Sequence, residues 1–101
     1  MEMITLSGTS KITEQREQYL DGLFQDKNLR PFVFDKPTIF LSCRVHPGET
    51  PASYVLDGIM KFLSTQTEQS RTLLDRFVFK VVPQLNPDGV YRGYFRLDTL
   101  G

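Results

Sequence analysis

The chain has 101 residues, of which 40% are hydrophobic, and its 12 basic and 12 acidic side chains give a formal net charge of zero. Because no global field attracts polyanions, we expect neither nucleic acid nor a membrane surface as a partner. No apolar run is long enough to span a bilayer or to act as a secretory signal, which favours a cytoplasmic protein.

The N-terminal part of the chain is predicted to contain two strands and one helix. Residues 1–7 predict a strand that ends in a polar turn. Apolar residues recur on a charged background over residues 13–24, and this pattern predicts a helix. The apolar side chains of this predicted helix are those of Tyr19, Leu20, Leu23 and Phe24. A short strand is expected at residues 32–34, between Pro31 and Pro37.

The middle of the chain is predicted to contain a strand followed by a helix. Residues 38–42 are β-branched and aromatic and predict a buried strand. Cys43, the only cysteine, excludes an internal disulfide and is expected to be a core thiol in a reducing compartment. Residues 51–63 carry apolar side chains at steps of three and four, which is typical of an amphipathic helix. Thr50 is the expected N-cap and Pro51 the first helical residue.

The C-terminal part adds a short helix at residues 71–75 and a strand at residues 76–85. The resulting order of elements, β, α, β, β, α, β, fits an α/β layered domain. No composition shift or low-complexity tract marks an interdomain linker. Aromatic side chains are expected in the core instead of on a binding surface, namely those of Phe40, Phe62, Phe77 and Phe79.

His46 and Glu49 stand where the predicted strand at residues 38–42 gives way to the helix, a position where open α/β sheets place ligands. A histidine nitrogen and a carboxylate three residues apart can face one point in space, and one further histidine would complete a catalytic zinc site. His46 is the only histidine, so the chain supplies two of the three protein ligands. The alternative is a loop histidine, with Glu49 interacting with the dipole of the next helix.

A second motif, Asn-Pro-Asp-Gly, occupies residues 86–89, directly after the last predicted strand. Asparagine at the first position, proline at the second and glycine at the fourth fit a type I turn, so Asn86 and Asp88 are interpreted as turn residues. Arg96 follows this motif. Taken alone, it is either a solvated surface arginine or a charge that serves the site.

Together the two motifs resemble those of the M14 zinc carboxypeptidases, specifically the cytosolic carboxypeptidase branch, where His-Pro-Gly-Glu-Thr-Pro and Asn-Pro-Asp-Gly-Val occur in this order. The runs at residues 30–32, 77–80 and 93–96 are most similar to the type-5 cytosolic carboxypeptidase-like proteins. Gly48 also matches this branch, since the digestive carboxypeptidases have arginine there. The resemblance implies part of a three-layer α/β/α fold with a mixed sheet, in which residues 1–101 form the N-terminal part of the catalytic domain.

The resemblance also implies roles for individual residues. His46 and Glu49 match the first two zinc ligands, and Arg96 matches the arginine that polarises the scissile carbonyl and stabilises the oxyanion. Arg92 either assists an acidic substrate or is solvated. The implied reaction is zinc-dependent removal of C-terminal or side-chain-linked glutamates from proteins, chiefly tubulin. After Gly101 the family continues to a carboxylate-binding Asn-Arg pair, a third ligand histidine and a glutamate base, so the chain is interpreted as truncated before these residues and inactive alone.

Two other hypotheses remain open. The chain could be a non-catalytic remnant or binding module, because two ligands without a general base cannot perform the chemistry. It could also belong to a related branch of zinc acylases that act on small N-acyl amino acids and share His-x-x-Glu and the fold. The segment at residues 86–90, together with Gly93 and Arg96, favours the peptidase.

Overall fold

A computed structural model describes residues 1–22 and 24–97 of the chain as an α/β arrangement with a mixed sheet. The strands are β1 (Ile4–Leu6), β2 (Ile12–Arg16), β3 (Phe32–Phe34), β4 (Thr38–Ser42) and β5 (Val78–Val82). The α-helices are α1 (Thr50–Ser64), α2 (Glu68–Arg76) and α3 (Pro87–Arg92), and a 3-10 turn forms at Lys27–Leu29. The observed order of elements therefore differs from the predicted order β, α, β, β, α, β, mainly in the first half of the chain.

Strand β5 is the centre of the main sheet, whose strand order is β1-β5-β4. It pairs antiparallel with β1 and parallel with β4, with Ile39 opposite Phe79. Its apolar side chains are at most 6% exposed. A near-continuous apolar run is what a strand covered on both faces requires, so the composition of β5 accounts for its central position.

Helices α1 and α2 connect the parallel strands β4 and β5 and cover one face of the sheet. The core forms where Leu56 and Leu63 of α1 meet Phe79 and Val81 of β5. Cys43 is half-buried and packs against this core, as expected for a structural thiol. In the part of the chain that the structure describes, no helix combines the length and the apolar character needed to cross a membrane.

The predicted helix at residues 13–24 is wrong, because residues 12–16 form strand β2. This strand pairs antiparallel with β3, and Ile12 lies opposite Phe34. The Thr13 hydroxyl donates to the Val33 carbonyl (2.7 Å) and the Arg16 guanidinium to the Arg30 carbonyl (2.6 Å). These long-range contacts override a weak local preference for helix. Leu23, on the predicted apolar face, lies outside the described residues.

Several predicted boundaries also need correction. Helix α1 begins at Thr50, so Glu49 occupies the cap position that was predicted for Thr50, and it makes no side-chain cap hydrogen bond. Helix α2 is longer than predicted, because the Thr67 hydroxyl accepts from the Ser70 N–H and extends the first turn. Asn-Pro-Asp-Gly is not an isolated turn, since it forms the N-terminus of α3.

Two of the four aromatic residues predicted for the core are exposed. Phe79 is buried and Phe77 packs half-buried against the core, but Phe40 is 59% and Phe62 43% exposed. Successive side chains of a strand point to opposite faces, and the neighbours of Phe40 face the helices. Phe40 therefore lies on the opposite face of the sheet, and the predicted buried strand β4 is covered on one face only.

Candidate metal centre

The chain segments that leave β4 and β5 stay side by side beyond the ends of both strands. The Cys43 N–H donates to the Val82 carbonyl (3.0 Å), and the Leu85 N–H donates back to the Cys43 carbonyl (2.8 Å). One step further, the Asn86 N–H donates to the Arg44 carbonyl (3.1 Å). This continuation of the parallel ladder places the loop with His46 and Glu49 beside the start of α3.

Arg44 turns the chain at the entrance to this loop. Its φ of 60° is in the left-handed region, which costs a residue other than glycine on the order of 1 kcal/mol. The guanidinium Nε and one terminal nitrogen donate to the Pro47 carbonyl (2.8 and 2.5 Å), and the other terminal nitrogen donates to Ser53 Oγ (3.0 Å). These charge-assisted bonds offset the backbone strain and fasten the loop to α1.

His46 and Glu49 are in direct contact within the loop. His46 Nδ1 lies 2.8 Å from Glu49 Oε1, and the two side chains are 35% and 48% exposed. The short spacing of the motif thus brings one imidazole nitrogen and one carboxylate oxygen to the same point, as predicted. Both groups are open to solvent, so a metal ion can reach them.

Arg96 approaches the other side of the same imidazole ring. One of its terminal guanidinium nitrogens lies 3.3 Å from His46 Nε2. Because arginine has no acceptor, this contact is a hydrogen bond only in the tautomer whose Nε2 accepts and whose Nδ1 donates to Glu49. The fold therefore brings together three side chains that the sequence places up to 50 residues apart. Arg92, in the last turn of α3, is exposed and makes no hydrogen bond to these three among the described side chains.

The donor set fits two positions of a zinc site. Imidazole nitrogen and carboxylate oxygen are both ligand atoms that zinc prefers, and here one of each lies 2.8 Å apart. His46 and Glu49 would therefore hold the ion from two sides of the same point. Within residues 1–22 and 24–97, no group of three or more His, Cys, Asp or Glu side chains could hold a metal ion.

We expect the 101-residue chain alone to bind zinc weakly, with a dissociation constant above the micromolar range. Two protein ligands provide only part of the coordination that makes catalytic zinc tight. Equilibrium dialysis at neutral pH measures the affinity, and His46→Ala is the matched variant for site-specific binding. Stoichiometric, submicromolar binding that His46→Ala abolishes would show that the chain completes the site by itself.

Asn86 is more than the turn residue that the sequence predicts, because it contacts both halves of the candidate site. Its Oδ1 caps α3 by accepting from the Gly89 N–H (3.0 Å). Its Nδ2 donates to the Val45 carbonyl (3.4 Å) and the Leu97 carbonyl (3.2 Å). The sequence indicates the capping role, since asparagine followed by proline is a common helix start. The hydrogen bonds to the Val45 and Leu97 carbonyls have no local sequence signal.

Comparisons with known proteins show similarity over most or all of the chain. The family described as zinc carboxypeptidase, peptidase M14, matches residues 8–97. Cytosolic carboxypeptidase-like protein 5 of Bos taurus is 46% identical over 104 residues, which cover all of this chain and 12% of that protein. Cytosolic carboxypeptidase 6 of Mus musculus is 46% identical over 88 residues, which cover 87% of this chain and 16% of that protein.

The fold has matching solved structures as well. The crystal structure of a metallo-carboxypeptidase from Burkholderia cenocepacia superposes with a TM-score of 0.59 and 34% identity, over 65% of this chain and 19% of that chain. This likeness confirms the predicted fold class, and the family match confirms the resemblance predicted from the two motifs. The chain therefore belongs to the zinc carboxypeptidase family, peptidase M14.

Proposed function

We propose that this chain is the segment of a cytoplasmic metallocarboxypeptidase that carries its first two zinc ligands, His46 and Glu49. The observation that supports this most is the contact of one imidazole with both partners, Glu49 at Nδ1 and Arg96 at Nε2. A metal ligand and an adjacent fixed cation are the parts that carbonyl hydrolysis needs. The naming of relatives as cytosolic supports the location.

Each of the three residues has a distinct proposed task. His46 and Glu49 hold zinc, whose chemistry when bound is to polarise a carbonyl and to lower the pKa of a bound water. Arg96 donates from its guanidinium to the scissile carbonyl oxygen as negative charge develops there. Arg92 is exposed on the last turn of α3, and we propose that it attracts acidic substrates.

The chain spans 12% of the length of the cattle relative. We propose that residues 1–101 form the N-terminal part of a catalytic domain, and that a further histidine and a general base from outside these residues complete the site. This assignment accounts for a donor set of two where a catalytic zinc site has three. The chain alone is then inactive.

The proposed substrates are proteins with C-terminal or side-chain-linked glutamates, such as tubulin, and the products are free glutamate and the shortened protein. The support is the similarity to cytosolic carboxypeptidases over the whole chain, together with the cationic side chain of Arg96 at the candidate site. Arginine is suited to carboxylate recognition because its planar fork donates two parallel hydrogen bonds.

A chimera tests the proposal. The 101 residues replace the matching 104-residue stretch of the cattle relative, and glutamate release from a glutamylated tubulin peptide is measured. We expect the chimera to release glutamate, with the unmodified relative as the reference and the 101-residue chain alone as the inactive control. A chimera that folds and binds zinc but cleaves only small N-acyl amino acids would support the acylase hypothesis. A chimera without hydrolytic activity would support the non-catalytic hypothesis.

A further inference from the structure

The backbone on both sides of Arg96 is anchored to the rest of the candidate site. The Phe95 carbonyl accepts from the Gly48 N–H (2.7 Å), and Gly48 lies between the two candidate ligands. The Leu97 carbonyl accepts from Asn86 Nδ2 (3.2 Å). Because both flanking peptide groups are held, the Cα of Arg96 has a defined position although its side chain is exposed.

Asn86 is the residue that connects the two ends of this arrangement. Its Nδ2 donates to the carbonyl of Val45, the residue before His46, and to that of Leu97, the residue after Arg96. Its backbone N–H and its Oδ1 are also engaged, with the Arg44 carbonyl and the Gly89 N–H. All polar groups that fix the orientation of this side chain therefore have partners.

The chemistry of the amide suits this position better than a carboxylate. Two carbonyl oxygens point at Nδ2, and only a donor satisfies them. There is also no spare room, because a Cβ added at Gly89 would lie 2.7 Å from Asn86 Nδ2 and 2.8 Å from the Leu97 oxygen. A Cβ added at Gly48 would overlap the Phe95 ring. Gly48 and Gly89 have no side chain, and this leaves room for the segment that contains Arg96.

We propose that Asn86 is a positioning residue, whose side-chain amide holds the Arg96 segment against the His46 loop and so sets the distance between the Arg96 guanidinium and the imidazole. The inference rests on the proposed function, in which Arg96 acts on the scissile carbonyl. Asn86 does not touch the reacting atoms. Its contribution is to remove conformational freedom from a long side chain that must act at a defined point.

The first test is Asn86→Asp in the 101-residue chain, read by amide hydrogen exchange. Aspartate is isosteric and still caps α3, but it cannot donate to Val45 and Leu97. We expect the Gly48 amide, which donates to Phe95, to exchange at least about tenfold faster, because both hydrogen bonds from the Asn86 amide are lost. The Val90 amide, which donates to the Asn86 carbonyl, should keep its protection.

The matched control is Asp88→Asn, an exposed position in the first turn of α3, which should leave the Gly48 amide unchanged. Unchanged Gly48 exchange in Asn86→Asp would overturn the inference. Equal acceleration at Gly48 and Val90 would also overturn it, because Asn86 would then serve only the folding of α3.

The second test is a double-mutant cycle in the chimera. We expect Asn86→Asp to lower kcat about tenfold while KM and zinc content are unchanged, because the loss is confined to the transition state. In an Arg96→Ala background, the same substitution should have no further effect, since Asn86 acts through Arg96. An undiminished effect in that background contradicts the inference. If the unsubstituted chimera is inactive, the proposed function fails, and the exchange experiment still decides the role of Asn86.

Discussion

In the chimera, His46→Ala and Glu49→Gln are each expected to remove zinc and peptidase activity together. Each substitution takes away one of the two ligand atoms that meet in the loop, His46 Nδ1 or Glu49 Oε1. The amide of glutamine is nearly isosteric with the carboxylate but is a far weaker zinc ligand, because it carries no charge. With one protein ligand lost from a catalytic set of three, zinc content and kcat should both fall below detection after dialysis.

Zinc per protein, measured by atomic absorption, and glutamate release should be determined on the same samples. Glu14→Gln, an exposed position on β2, is the matched control for the loss of one negative charge and should keep both zinc and activity. If His46→Ala retains stoichiometric zinc, the imidazole is not a ligand. The alternative of a loop histidine beside a helix-terminal glutamate would then hold.

Arg96→Ala is expected to leave zinc bound and to lower kcat by about 100-fold to 1,000-fold, the range typical for one oxyanion donor. The guanidinium lies 3.3 Å from His46 Nε2 without being a metal ligand, so zinc content should not change. Its interaction with the substrate strengthens as charge develops on the carbonyl oxygen, and for that reason the loss should appear in kcat more than in KM.

Two neighbouring variants sharpen the result. Arg96→Lys keeps the positive charge but loses the planar guanidinium group, and its kcat should lie between those of Arg96→Ala and the unsubstituted chimera. Arg92→Ala should raise KM for acidic substrates and leave kcat unchanged, because Arg92 is placed on the exposed end of α3. A different result for Arg96→Ala itself would contradict the catalytic role. If this substitution raised only KM, Arg96 would bind the ground state and the transition state equally. The catalytic proposal would then be wrong, although the zinc-ligand proposal would stand.

The sequence determined the framework that carries the candidate site. The β-branched and aromatic run at β4 and the apolar periodicity of α1 predicted both elements, because their signals are local. The His-x-x-Glu spacing predicted the contact between His46 and Glu49, since three residues are too few for the chain to separate them far. Two motifs in the right order were also enough to predict the family, which the comparisons confirm.

Only the tertiary structure decided which distant segments meet. Strand β2 forms because β3 supplies its partner, and Phe40 is exposed because the helices cover the other face of the sheet. The contact between Arg96 and His46 joins residues 50 positions apart, and Asn86 fixes that contact through carbonyls on both sides. Periodicity and capping report on neighbours along the chain, whereas these contacts depend on loop closure and on the free energy of packing across it.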